Sequence, residues 1–451
     1  MFNRYSGKSN GNVNMIGRKD FLIRTGLLFG GGMLASSGIS PSYASKFSPP
    51  STLNTWEEIK AQFNLDPNVI QMSHFFLTSH PKPVREAIEK IRDGLDKNPV
   101  GYFHENVQHH ETSVLNAAAK YLNVNPMDIA LTDSTTMGLG LIYSSLDLKP
   151  DQEILTTTHD HYSTETALRL RAERTGAKIK RVSLYKDGEE ITSDQIVDNF
   201  IKNISPKTRY AVVTWVHSCT GMKLPIAKMS AALQEVNKNR DEKDKVIFCV
   251  DGVHGLGVEN ISLPELGCDF FIAGTHKWIF APRGTGLVWA KPEVWKLAQA
   301  TIPTFSGEAY GIWMNVVDPR ELSNFEMMTP GGFHSFEHRW AVDKAFEFHQ
   351  TIGRQKVQDR IHALNTMTKQ RLSEMKKVKL ITPMSDELSA GMTCFTVEGK
   401  DPFEFTEALI EKNIEASVTP YKKWYVRLAP SLVTLDDEVD RTLKVIEEMI
   451  K

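Results

Sequence analysis

Between residues 129 and 290, short apolar runs alternate with helical stretches, and this alternation restricts the chain to few architectures. The runs lie at 129–131, 154–158, 179–184, 210–216, 246–250, 270–273 and 286–290, with amphipathic patterns such as 163–175, closed by Gly176, and 227–237 between them. Strand–helix alternation of this kind predicts a largely parallel sheet covered on both faces. An apolar face at Val84, Ala87, Ile88, Ile91 and Leu95, with Pro83 near its start, predicts a helix over 82–98. Residues 303–332 are rich in Gly and Pro and aperiodic, which predicts a long loop. A helix over 336–352 follows, closed by Gly353, and then an α+β pattern with strands at 392–397, 414–418 and 425–428 and a last helix from 436 to 451. The expected organisation is α/β: a 96–332 large domain, a 333–451 small C-terminal domain, and a 45–95 segment packed on both.

Composition narrows the function classes. Of 451 residues, 53 are Lys or Arg and 55 are Asp or Glu, a net charge of −2. That balance lacks the basic excess of a nucleic-acid or anionic-membrane binder. Four cysteines in a chain this long do not make a disulfide scaffold.

Residues 1–44 read as an export signal. Arg18-Lys19-Asp20-Phe21-Leu22 precedes an apolar Gly-rich run over 27–39, and Pro41-Ser42-Tyr43-Ala44 offers a small-residue cleavage site. The run is too short for a stable membrane span. The string resembles a twin-arginine signal, with Lys19 where the second arginine normally stands.

Three segments place chemistry-bearing residues at the carboxyl ends of predicted strands, where open α/β sheets bind ligands. In the first, Asp251-Gly252-Val253-His254 ends a fully apolar strand with a carboxylate. Burying that carboxylate is costly unless a cation or donor meets it; a helix N-cap is its ordinary alternative. In the second, another apolar strand ends in Gly274-Thr275-His276-Lys277-Trp278. A lysine there either snorkels or, desolvated, offers a free amine for imine formation. In the third, a strand runs into Ser134-Thr135-Thr136 and then a helix, a pattern that suits a phosphate or an ordinary Ser/Thr cap.

In this order and spacing, with Asp251 and Lys277 26 positions apart, the three segments resemble the fold-type I pyridoxal phosphate enzymes of aminotransferase class V, in their isopenicillin N epimerase-like branch. The resemblance spans about 56–451 and implies a role for each matching residue. Lys277 matches the lysine that carries the cofactor as an internal aldimine, and Asp251 the partner of the pyridine nitrogen. His254 matches the contact to the ring's phenolic oxygen. Thr135, Thr136 and His276 match phosphate contacts. Asp160-His161 falls on an acidic–aromatic pair, which makes His161, rather than His159, the residue stacked on the ring. Arg427, in Tyr425-Val426-Arg427-Leu428-Ala429-Pro430, matches the arginine that grips the substrate carboxylate.

Departures from the pattern are equally informative. Ser218 stands where desulfurases have an asparagine. Gly274 replaces a hydroxyl residue, and Gly331-Gly332 replaces a Gly-Thr pair whose threonine reaches a neighbouring subunit's phosphate, leaving the backbone of Gly332 for that contact. The region 414–421, where desulfurases carry a nucleophilic cysteine, contains none. The resemblance implies a homodimer with shared active sites and a small amino-acid-like substrate. Transamination, epimerisation and β- or γ-elimination, including C–S lyase chemistry, remain open. A periplasmic metal hydrolase built on His109, His110, His334 and His338 is the alternative of another class, although their spacing is not that of a metal site.

Overall fold

The computed structural model describes residues 53–318 and 327–451. The export segment lies outside the described residues. Among these, no helix is long and apolar enough to cross a membrane.

A seven-stranded sheet forms the large domain. Its strands are β2 (Ile129–Thr132), β3 (Glu153–Thr157), β4 (Lys178–Val182), β5 (Thr208–Thr214), β6 (Ile247–Asp251), β7 (Phe270–Gly274) and β8 (Gly286–Ala290), in the spatial order β2-β8-β7-β6-β5-β3-β4. Only β8 runs antiparallel, between β2 and β7. The central strands β5 to β8 are buried throughout, as continuous apolar runs require when helices cover both faces. Each predicted strand is present, with ends moved by a few residues. Helices Tyr162–Thr175 and Ile226–Asn237 fall where the periodicity placed them. Gly176 closes the first at φ 76°, a conformation that favours glycine.

The small domain carries a four-stranded antiparallel sheet of order β12-β13-β10-β9, from β9 (Val378–Leu380), β10 (Thr393–Val397), β12 (Ser417–Val418) and β13 (Val426–Leu428). The 414–418 run is two short strands, because β11 (Ile414–Glu415) leaves this sheet to pair in parallel with β1 (Ile70–Gln71). That pairing ties the N-terminal segment to the small domain.

Two expectations change. The 303–332 stretch is not loop throughout: a helix, Gly307–Trp313, forms on a Ser306 N-cap that accepts from the backbone N–H of Ala309. The 336–352 helix is two, Phe336–Arg339 and Val342–Ile352. Both join the core formed with helices Lys82–Lys97 and Pro99–Leu122. The small-domain sheet begins at Val378.

Candidate active site

Five parallel strands deliver site residues at their carboxyl ends. Thr135 and Thr136 follow β2, Asp160 and His161 follow β3, Ser218 follows β5, Asp251 ends β6, and Lys277 follows β7. The small domain adds Arg427 from β13.

Lys277 and His254 form the centre. The Lys277 Nζ lies 3.4 Å from His254 Nε2. On its other ring nitrogen, His254 Nδ1 accepts the Trp278 indole N–H at 3.2 Å. That bond places the imidazole proton on Nε2, so a neutral His254 donates toward the lysine amine. Burial lowers the Lys277 pKa to about 8, against the pull of Asp251. The amine is thus far easier to deprotonate than an ordinary lysine.

Asp251 is buried and raised to about 7, mainly by desolvation. Its Oδ1 accepts the Val253 N–H at 3.1 Å, and it forms no ion pair among the described residues. A carboxylate left this way has room for a cationic partner.

At the β2 end, helix Thr135–Ser145 starts on a Ser134 cap that accepts from the Met137 N–H. Thr135 Oγ1 accepts the Gly274 N–H at 2.8 Å. A Cβ built on Gly274 would lie 2.8 Å from Thr135 Oγ1 and 2.9 Å from the His276 ring. Thr135 and His276 therefore converge at a helix N-terminus, the arrangement that binds phosphate. His276 Nδ1 donates to the Thr285 carbonyl at 3.0 Å, leaving Nε2 for another contact. Thr136 Oγ1 shares a 3.1 Å hydrogen bond with Ser163.

The two histidines of the β3 segment separate. His159 stacks on Tyr185 at 4.1 Å and bonds Asp187 at 2.8 Å. His161 caps the next helix, its Nδ1 accepting the Ser163 N–H. Burial, then the charges of Lys277 and Arg427, lower its pKa. Its neighbour Asp160 is a structural clamp, accepting from Thr156 Oγ1 and the N–H groups of Thr157 and Thr214.

Arg427 is buried without a carboxylate partner among the described residues. Its Nε donates to Ser417 Oγ at 3.0 Å, its Nη1 to the Ser218 carbonyl at 2.9 Å, and its guanidinium lies 4.8 Å from the Phe75 ring centre. Gly332 has φ 109°, and nothing lies within 4 Å of a Cβ built there.

No role was assigned from sequence to Trp278, Phe75 or Tyr421. Tyr421 Oη shares a 2.8 Å hydrogen bond with Ser218 Oγ. The only sequence sign of this residue is an aromatic in the stretch noted for having no cysteine.

The histidines of the metal-hydrolase alternative are dispersed. His110 stacks on Trp340, His334 accepts from Arg339, and His338 donates to the Arg283 carbonyl. No group of three or more His, Cys, Asp or Glu with metal-holding geometry occurs among the described residues.

The aminotransferase class V family model matches residues 78–418. The chain belongs to that family. Its members are pyridoxal phosphate enzymes, and the donor set described above fits that cofactor. Among curated relatives, the isopenicillin N epimerase of Streptomyces clavuligerus is 26% identical over 406 residues, covering 87% of this chain and 98% of the relative. The isopenicillin N epimerase of Amycolatopsis lactamdurans is 23% identical, with 88% and 99% covered. A probable cysteine desulfurase of Halalkalibacterium halodurans is 25% identical over 71% of this chain and 77% of its own. A solved structure of a C-DES mutant, with glycine covalently linked to its pyridoxal phosphate, superposes with a TM-score of 0.76 at 18% identity, covering 86% of this chain and 99% of that one. The fold is therefore fold-type I.

Proposed function

We propose that this family member acts at the α-carbon of an amino acid or amino-acid-like substrate, as an aminotransferase or epimerase. One observation carries the reading: Lys277, with its lowered pKa, stands 3.4 Å from a neutral His254, just past the strand beside the one that ends in the buried Asp251, which forms no ion pair among the described residues.

In this reading Lys277 holds the cofactor, Asp251 its ring nitrogen, and His254 and Ser218 the side of its phenolic oxygen. Thr135, Thr136 and His276 hold its phosphate, and His161 lies against its ring. Bound there, the cofactor supplies an electron sink for charge developing at the α-carbon. The protein's residues do the rest. Arg427, already fixed by Ser417 and Ser218, presents its remaining N–H groups to a substrate carboxylate and so fixes which α-substituent faces Lys277. The Lys277 amine, deprotonated above about pH 8, takes and returns the α-proton.

We further propose a homodimer that completes each site and export by the twin-arginine-like segment. Exposed Phe76, Leu77, Tyr162 and Phe333 lie beside Phe75, His161 and Gly332 in sequence and offer apolar surface to a second copy. All four cysteines are buried and free, which suits a protein folded before leaving a reducing cytoplasm.

Borohydride reduction of purified holoenzyme followed by peptide mapping is the test. A pyridoxyl mass on Lys277 is expected; a tag on another lysine, or none, overturns the reading.

A further inference from the structure

The loop between β12 and β13 brings a second proton-bearing side chain to the pocket. Tyr421, on this loop, crosses from the small domain to the 2.8 Å hydrogen bond with Ser218. Its ring meets His161 edge-on, with centroids 5.8 Å apart at 75°. The Ser218 carbonyl holds Arg427, so the phenol, the imidazole and the guanidinium converge on one region. The loop is pinned on its far side as well. Tyr425 Oη and Lys423 Nζ donate to Asp187 of the large domain at 2.7 and 3.2 Å, and the Tyr425 N–H is taken by Thr419 Oγ1 at 3.0 Å. A phenol on a flexible tether would be a poor catalyst; this one is held through both domains.

Lys277 reaches the pocket from the sheet, at the end of β7, whereas Tyr421 enters from the small-domain wall. We propose that Tyr421 is the second acid–base residue of this site, delivering and removing the α-proton from the small-domain side of the pocket, with Ser218 as its positioning residue. The proposal rests on the α-carbon reading above and selects epimerisation within it.

The step balances. Lys277 Nζ takes the α-proton from one side, and the electron pair of the broken C–H bond stays with the substrate. The Tyr421 O–H bond then breaks, and its proton forms the new C–H bond on the other side. The tyrosinate is reprotonated and the Lys277 ammonium gives up its proton before the next turnover, so no net proton is consumed. The reverse reaction exchanges the two roles. Electrostatics agree with a donor. Burial pushes the phenol's pKa up and keeps it protonated, while the Ser218 hydrogen bond and the Arg427 charge favour the tyrosinate once formed.

The test incubates holoenzyme in deuterated buffer with the separate L and D forms of alanine, serine, methionine and glutamate, following deuterium incorporation by NMR and configuration by chiral chromatography. Wild type should invert at least one amino acid with deuterium at Cα. Tyr421→Phe should slow inversion roughly 10²-fold or more while still exchanging Cα–H of one enantiomer with retention. Its visible cofactor band should remain, with the pH midpoint of that band displaced. Ser218→Ala should show a smaller loss and a shifted pH profile, and Ser218→Thr should restore both. Wild type that inverts no member of the panel overturns the proposal. So does a Tyr421→Phe enzyme that inverts normally, one that loses exchange from both enantiomers, or an unmoved pH midpoint. Wild-type protein with no cofactor on Lys277 fails differently and overturns the parent reading.

Discussion

Trp278 donates its indole N–H to His254 Nδ1 and thereby decides which nitrogen of that imidazole faces Lys277. The two residues follow different strands, β6 and β7, and the bond between them is made in the buried core. Trp278 is itself fixed by stacking on Phe75, with ring centroids 5.4 Å apart. A chemically inert side chain thus sets the hydrogen-bonding polarity of the site.

Replacing Trp278 by Phe removes that donor and leaves His254 free to change tautomer. The expected cost is about 2 kcal/mol of stability from the lost bond and the vacated space. The cofactor absorption band should shift and weaken. Thermal melts and visible spectra of the purified variant check both.

Asp251→Ala should leave the apoprotein folded, because the removed carboxylate is buried and forms no ion pair among the described residues. Some cofactor should still bind through Lys277. Turnover should fall by at least about 10²-fold, the usual size of a lost electrostatic contact to developing charge. Steady-state kinetics beside cofactor titration separate the two effects, and near-normal turnover would remove Asp251 from the mechanism.

The lowered Lys277 pKa gives the uptake reaction a pH dependence. Only the free amine attacks an aldehyde, and its fraction grows as pH rises through about 8. Stopped-flow mixing of apoprotein with pyridoxal phosphate should show a rate that climbs between about pH 7 and 9 and then levels off. An unshifted lysine, with a pKa near 10.4, would place that rise about two pH units higher.

Acid should destabilise the protein well before ordinary carboxylates titrate. Burial holds His74 and His80 at about 4 and His349 at about 3, below the ordinary 6.5. Between about pH 6.5 and 4 the unfolded chain binds protons that the folded chain refuses, so stability falls as pH drops. Each histidine contributes up to about 1.4 kcal/mol per pH unit. Asp251, raised to about 7, opposes this, while His110 and His334, also held at about 4, add to it. Urea melts from pH 7 to 4.5 should show the decline, and His349→Leu should flatten it.

The sequence by itself determined the layered α/β plan and the strand ends that carry the chemistry. Apolar runs that alternate with amphipathic helices have no other way to bury both sheet faces, and ligand-binding residues then fall at the carboxyl ends of strands. Asp251, His254, His276 and Lys277 were legible for that reason, and the order of their segments also revealed the family. Tertiary structure alone decided what faces what. The 336–352 periodicity gave no sign that two helices would form and pack on Lys82–Lys97 and Pro99–Leu122. Nothing in the local pattern sends β11 to pair with β1, since pairing partners over 300 residues apart are chosen by the packing of whole domains. His159 and His161 differ by two positions, yet one stacks on Tyr185 while the other feels the charge of Lys277. Tyr421 lies 203 residues from Ser218, and no periodicity or spacing connects them. Hydrogen bonds between side chains from different domains depend on how those domains dock, and docking is set by summed buried surface rather than by any local signal.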